Sequence, residues 1–294
     1  LQAMLGPQAT SALTSRWFVE RRGLAIGVSN VGISVGAFLL PQLIKYLSAD
    51  LGMGWREIFP MLATGTLLFL VPIILALVIE KPDDYDRTRT VNAATSKPLT
   101  TAILFRDSGF WSLGICVAIM YGLLVGVLSN LVQMSMSKGL SLPSAMDALS
   151  FLAIGGFIGK LAIGYLSDRI NNSFLMAGIL VVFSASLLPP VLFEGAAPIY
   201  ASSFAMGFSA ISSLPLWHSL TAQLFGVSNF ARVIGLSAPI VLAGQVFFPW
   251  LTAAIADATG GYDAALTGYS ATLIICLLLV IGIRAKEKQV LQAD

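Results

Sequence analysis

Charge is scarce in this sequence of 294 residues: Asp, Glu, Lys and Arg make up 11% of it, where a soluble globular domain carries roughly 25%. Histidine is scarcer still, with His218 alone, and there are two cysteines, Cys116 and Cys276. These shortages exclude whole classes of function. One histidine and two separated cysteines build neither a His/Cys metal cluster nor a Ser/His/Asp triad with a choice of bases. Both cysteines sit in apolar runs, so no disulfide framework is read. A Gly-Lys-Ser phosphate loop is absent. Enzymatic activity, a cofactor, a bound metal and a nucleic-acid partner are therefore not expected. No basic segment followed by a short apolar core opens the chain, so no signal peptide is read.

What the sequence has instead is apolar length. Hydrophobic residues make up 56% and the mean hydropathy is +0.84, which identifies an all-α integral membrane protein with the lipid bilayer as its solvent. About 20 apolar residues in a helix cross the hydrocarbon core. Eight stretches qualify: Gly23–Leu47, Ile58–Ile79, Phe110–Met136, Ala145–Leu166, Phe174–Phe193, Ala196–Phe225, Val233–Ile255 and Ala264–Ile283. They are too long for barrel strands. Leu1–Leu13 is apolar but short, and reads as the end of a further helix. Asp50–Trp55, Phe193–Gly195 and Asp257–Tyr262 hold Gly and acidic residues and are expected to be tight hairpins. Residues 80–107 are polar and Thr-rich, with Pro82, Asp83, Asp84 and Arg87, and read as a linker.

Basic residues fall on alternate loops. Of the 17 Lys and Arg residues, only Lys45, Arg56 and Lys138 lie on one side; the other fourteen, including Arg21, Arg22, Lys160, Arg169 and Arg232, lie on the opposite side. The positive-inside rule places that side, with the linker and the C-terminus, in the cytoplasm. A plasma (bacterial inner) membrane location is expected.

The chain also repeats itself at an offset of 208 residues. Ile26, Gly27, Ser29, Gly36, Pro41, Ala63 and Thr64 fall on Ile234, Gly235, Ser237, Gly244, Pro249, Ala271 and Thr272. A repeat of apolar spans points to a transporter built from two similar halves.

One loop carries a recognisable motif. The segment from Gly159 to Arg169 reads Gly-Lys-Leu-Ala-Ile-Gly-Tyr-Leu-Ser-Asp-Arg. Glycines permit close helix contact, and an Asp at a helix end accepts charge-assisted hydrogen bonds from Arg or from a neighbouring helix N-terminus. The segment resembles the signature loop of the major facilitator superfamily. It departs from it where Asn171 and Asn172 replace the family's further Gly and basic pair. Arg16-Trp17-Phe18-Val19-Glu20-Arg21-Arg22-Gly23-Leu24-Ala25-Ile26-Gly27, followed by Gly32, Gly36 and Pro41, is similar to the entry into that family's fifth helix. The similarity is greatest to the monocarboxylate-porter and oxalate/formate-antiporter branch. Gly109-Phe110-Trp111, and Leu224-Phe225-Gly226 with Phe230 and Gly235, suit the same branch.

The resemblance implies a partial major-facilitator fold, from the end of helix 4 through helix 12. Residues 1–79 would be the remnant of an N-terminal bundle, 80–107 a cytoplasmic linker and 108–294 a C-terminal six-helix bundle. On the same reckoning roughly 100 residues of helix 1 to helix 4 lie upstream of Leu1. It implies secondary active transport of a small organic solute by alternating access. The solute would be a monocarboxylate-like anion, coupled to a proton or to a counter-substrate, and the full-length protein a monomer. A drug or general metabolite exporter of the same superfamily is the alternative. A non-transporting membrane receptor or sensor is a more distant one.

Candidate residues follow from polarity inside apolar spans. Asn130 and Gln133, three apart on one helix, Asn30 and Ser34, and Gln245 are candidates to hydrogen-bond a substrate; each is equally suited to joining helices. Lys160 has two open roles: the resemblance links a basic residue at this place to anionic substrate, and a lysine near a helix end also snorkels to the interface. His218 can carry a proton or sit hydrogen-bonded within the bundle. Gly159, Lys160, Gly164, Asp168 and Arg169, with Arg21 and Arg22, form the expected gating loop, with Asp168 reaching Arg21, Arg22 or the start of the fifth helix. Gly23/Gly27, Gly32/Gly36 and Gly155/Gly159 with Gly156 are candidate sliding surfaces or ordinary packing positions.

Overall fold

The structure, a computed structural model, describes residues 10, 13, 14, 17, 18, 22–49, 51–77, 99–226 and 228–293. Nearly all of Leu1–Leu13, most of the linker, Arg16 and Arg21 lie outside the described residues. Among the described residues there are eight helices long and apolar enough to cross a membrane, and no strand. We label them in chain order: α1 (Arg22–Ala49), α2 (the span Trp55–Ala76), α3 (Ser108–Ser137), α4 (Leu142–Ser167), α5 (the span Asn172–Leu192), α6 (the span Ala196–Phe225), α7 (Phe230–Thr259) and α8 (Asp263–Ala293).

The sequence places caps at their starts. The Asp107 carboxylate accepts from the amides of Gly109 (2.8 Å) and Phe110 (3.3 Å) at the head of α3. Asn171 accepts from Phe174 N at 3.1 Å ahead of α5, and Glu57 reaches back to Gly54 N at 3.1 Å in α2. Such caps satisfy amides that have no partner within the helix. They explain why most spans begin a few residues before their apolar stretch does. Gly260, at φ 75°, closes α7 in the left-handed conformation that glycine adopts without strain. The end of the linker is not loop throughout: Thr101–Arg106 is helical, because its apolar run lets Leu104 bury completely.

Two spans carry a π-helical turn, Thr66–Leu70 in α2 and Gly207–Ile211 in α6. In α6 a Cβ on Gly207 would run into the carbonyl of Leu152, and one on Gly155 into the backbone of Phe204. The two helices touch backbone to backbone, which a glycine-lined contact allows. α7 runs along α3 in the same way: a Cβ on Gly126 would stand 2.7 Å from Thr252 Oγ1 and 3.0 Å from the Phe248 carbonyl.

The contiguous buried core draws its residues from Leu104 to Ile283 only. α1 packs outside it, along α4 and beside the second part of α6. α2 is almost uncovered, with Ile58 alone buried in its first part.

Candidate functional site

The contact between α1 and α4 brings together more of the expected residues than any other place in the fold. The two helices run antiparallel, so Leu24 lies by Asp168, Gly27 by Gly164 and Lys160, and Ser34 by Gly156. Gly27 makes the approach possible: a Cβ there would stand 2.6 Å from the Lys160 carbonyl and 3.5 Å from the Gly164 Cα. Any larger residue would push the helices apart.

Lys160 does not snorkel. It lies two turns inside α4 and is 1% exposed. Its ammonium points into the contact, donating to the Asn30 carbonyl (3.1 Å) and to Ser34 Oγ (2.9 Å). Both partners are buried and neutral. Among the described residues no carboxylate pairs with it. A buried cation held only by neutral oxygens is an electrostatic attractor for an anion. Asn30 itself is fixed by donating from Nδ2 to the Ile26 carbonyl at 2.8 Å.

At the end of the same contact, Asp168 accepts from the backbone amide of Leu24 at 3.0 Å. Of the three expected partners the structure gives the start of α1; Arg21 and the side chain of Arg22 lie outside the description. An acid at a helix N-terminus is stabilised both by the free amides and by the helix dipole. Arg169 lies over the Tyr165 ring, 4.2 Å from its centroid.

The glycines divide differently from expectation. Gly27 faces the α1–α4 contact, Gly156 lies between Ser34 of α1 and Ile211 of α6, and Gly155 and Gly159 face α6, meeting Phe204, Phe208 and Ser212. Gly32 and Gly36 have nothing within 4 Å of a built Cβ. The four-residue spacing marks small residues on one face, but whether a neighbour covers that face is a tertiary matter.

The remaining polar candidates are dispersed. Asn130 is buried and donates to the Gly126 carbonyl of its own helix (2.9 Å) and to Ser129 Oγ (3.1 Å). Gln133 is exposed and Gln245 half-buried. Among the described residues none of these three bonds Lys160. His218 is wholly buried between the rings of Trp217 and Phe230, with centroids at 5.3 and 5.6 Å. Neither of its nitrogens has a hydrogen-bond partner among the described residues.

Sequence reading passed over two polar ties. Asn172 donates to Ser219 Oγ (3.1 Å) and Gln223 Oε1 (3.0 Å), linking α5 to α6. Asn229 accepts from Leu99 N at 3.0 Å, and Arg232 donates to the Leu99 carbonyl, clamping the chain ahead of α3 onto the α6–α7 turn. The signal for the first was the Asn171-Asn172 departure from the signature loop. The second joins residues 130 apart in sequence, with no local trace.

Comparison with known proteins bears on the family and the fold. Over 275 residues the chain is 24% identical to the MFS-type transporter opdF of Penicillium oxalicum, covering 91% of this chain and 60% of the relative. It is 25% identical to monocarboxylate transporter 11 of Mus musculus over 280 residues, 92% of this chain and 61% of the relative. To the oxalate:formate antiporter of Oxalobacter formigenes it is 27% identical over 258 residues, 84% and 58%. The chain thus spans about 60% of the length of these relatives. The fold matches the Escherichia coli fucose:proton symporter with a TM-score of 0.67 at 13% identity, over 95% of this chain and 73% of that one. The family model described as Major Facilitator Superfamily matches residues 3–238 and, overlapping, 138–293, as a chain with an internal repeat should allow. This integral membrane chain belongs to the Major Facilitator Superfamily.

Proposed function

We propose that the protein is a secondary active transporter of a small organic anion with one carboxylate, working by alternating access, with Lys160 as the cation that receives the carboxylate. The observation that carries the reading is the Lys160 ammonium, buried two turns inside a helix long and apolar enough to cross a membrane and held by two neutral oxygens of α1. An anion entering there replaces weak neutral partners with a charge-assisted pair. α7 has no basic residue beyond Arg232 at its mouth, so a second buried cation for a dicarboxylate is missing from this chain's part of the cavity. The name of monocarboxylate transporter 11 supports the same class; that of the oxalate:formate antiporter supports it for formate, oxalate being a dicarboxylate.

Residues 1–79 and 108–294 are read as parts of two bundles that rock against each other. Asp168, bonded to the start of α1, is the residue that holds them together at the basic, cytoplasmic side. His218 is the proposed proton carrier, since among the described residues neither of its nitrogens has a hydrogen-bond partner. Its slot between Trp217 and Phe230 is closed in this state, so protonation requires α6 and α7 to part. Asn130, Gln133 and Gln245 are the further candidates to hydrogen-bond the solute, although they are dispersed and, among the described residues, none of them bonds Lys160 in this state.

The test is uptake of labelled monocarboxylates into vesicles carrying the protein expressed from its complete open reading frame, with and without a pH gradient. The reading expects uptake that unlabelled carboxylates suppress. Uptake indifferent to both gradient and carboxylate competitors would favour the exporter alternative.

A further inference from the structure

We propose that Ser34 is a positioning residue for Lys160 and competes with the transported anion, so that the Lys160–Ser34 bond is a latch between α1 and α4 that substrate must open. The inference rests on the reading of Lys160 as the anion-binding cation.

The behaviour of the other buried hydroxyls is the starting point. Inside apolar helices, Ser and Thr usually turn back on their own helix. Ser135, Ser209 and Thr221 donate to the carbonyl four residues earlier, and Ser167, Ser213 and Ser237 to the one three residues earlier. Ser184 and Ser212 do bond across to another helix, to neutral groups; Ser34 accepts from a cation on another helix, 126 positions away. The close approach at Gly27 sets this up, and Gly156 leaves room for it: a Cβ on Gly156 would stand 3.3 Å from Ser34 Oγ. With α4 pressed onto α1, the Lys160 stem is covered on all sides and its ammonium reaches the hydroxyl and the Asn30 carbonyl together.

The chemistry then sets a competition. An ammonium has three N–H donors, and two are committed to α1. A carboxylate binding through the third alone makes one hydrogen bond to a cation still tethered between two helices. Binding through two requires one of the bonds to α1 to break, and the Ser34 hydroxyl can rotate away by χ1, whereas the Asn30 carbonyl is fixed in the helix backbone. The hydroxyl is neutral and the carboxylate is charged, so the exchange favours substrate, and it removes a tie across the contact as substrate enters. Ser34 is therefore not a direct substrate ligand. It occupies the cation while the site is empty, which spares the buried ammonium an unsatisfied donor.

The experiment measures KM and maximum rate of monocarboxylate uptake for wild type, Ser34→Ala, Ser34→Thr and Lys160→Gln, and for Ser34→Ala in the Lys160→Gln background. The latch predicts that Ser34→Ala lowers KM about tenfold or more, the scale of one hydrogen bond to a charged group, with maximum rate within about twofold. Ser34→Thr keeps the hydroxyl and restores the wild-type KM. Adding Ser34→Ala to Lys160→Gln changes nothing further. A rise in KM for Ser34→Ala, as for a direct ligand, overturns the latch. Thermal stability of the same four single and double forms in detergent provides a readout without substrate. A coupling between Ser34 and Lys160 there, with no carboxylate uptake by wild type, rejects the anion reading and the competition with it, leaving the bond as packing. Uptake by wild type with no coupling between the two positions rejects the latch alone.

Discussion

α2 and α8 are the same span twice. Trp55–Ala76 and Asp263–Arg284 are 208 residues apart at both ends and have the same mean hydropathy, 2.3, yet 6% of the first span's apolar window is buried against 39% of the second's. α1 and α7, the other repeat pair, are alike at 25% and 22%. Composition therefore fixes that a segment enters the bilayer but not what it touches there. Lipid is as apolar as a neighbouring helix, so helices associate where small residues and polar bonds make contact possible. α8 has such contacts: Ser184 of α5 bonds the Ser270 hydroxyl and carbonyl at 2.8 and 2.9 Å, and Tyr269 bonds Thr252 of α7 at 2.8 Å. The chain spans about 60% of the length of its relatives, and among the described residues α2 has few neighbours to meet: a Cβ on Gly65 would meet nothing within 4 Å.

The largest effect should come from thickening a backbone contact inside the covered region. Gly155→Val would force a branched side chain into Phe204, and we expect no folded protein by size-exclusion chromatography in detergent. Next, Lys160→Met should leave folding intact, as measured by thermal melting, and reduce carboxylate uptake by about a hundredfold or more, since removing one buried charge partner is worth roughly 3–5 kcal/mol. Asp168→Asn weakens the tie to Leu24 without touching the cation. Maximum uptake rate should change about tenfold with KM unchanged, on the scale of a charge-assisted hydrogen bond. His218→Gln should leave uptake intact but abolish its response to an imposed pH gradient; an unchanged response would assign coupling to exchange. The smallest effect is expected at Gly32→Ala, which meets open space. Stability and uptake should stay near wild type, and a loss comparable to Gly155→Val would mean that α1 has a further covered face.

Much of this was legible in the sequence, for physical reasons that can be named. The eight spans follow from apolar length alone. The Asp168 contact with the head of α1 follows from a carboxylate's affinity for free helix amides. Lys160 stood out because a cation in an apolar span has few places to go, but its direction was not legible. That depended on Gly27 bringing α1 within reach, and nothing in the spacing distinguishes Gly27 from Gly32. The exposure of Gln133 beside the buried Asn130 likewise depends on helices far away in the chain, and the ring slot around His218 on the angle at which the next helix brings back Phe230. The Asn229 and Arg232 clamp on Leu99 was invisible because each residue alone reads as an ordinary helix-end polar group.

The central claim is that the buried Lys160 ammonium receives the carboxylate. The most direct test is equilibrium binding of a labelled monocarboxylate to detergent-purified protein from the complete open reading frame, comparing wild type, Lys160→Arg and Lys160→Met, each shown to be folded. The account predicts binding by wild type, retained though shifted binding by Lys160→Arg, and none by Lys160→Met. Binding by Lys160→Met with the wild-type Kd would contradict it.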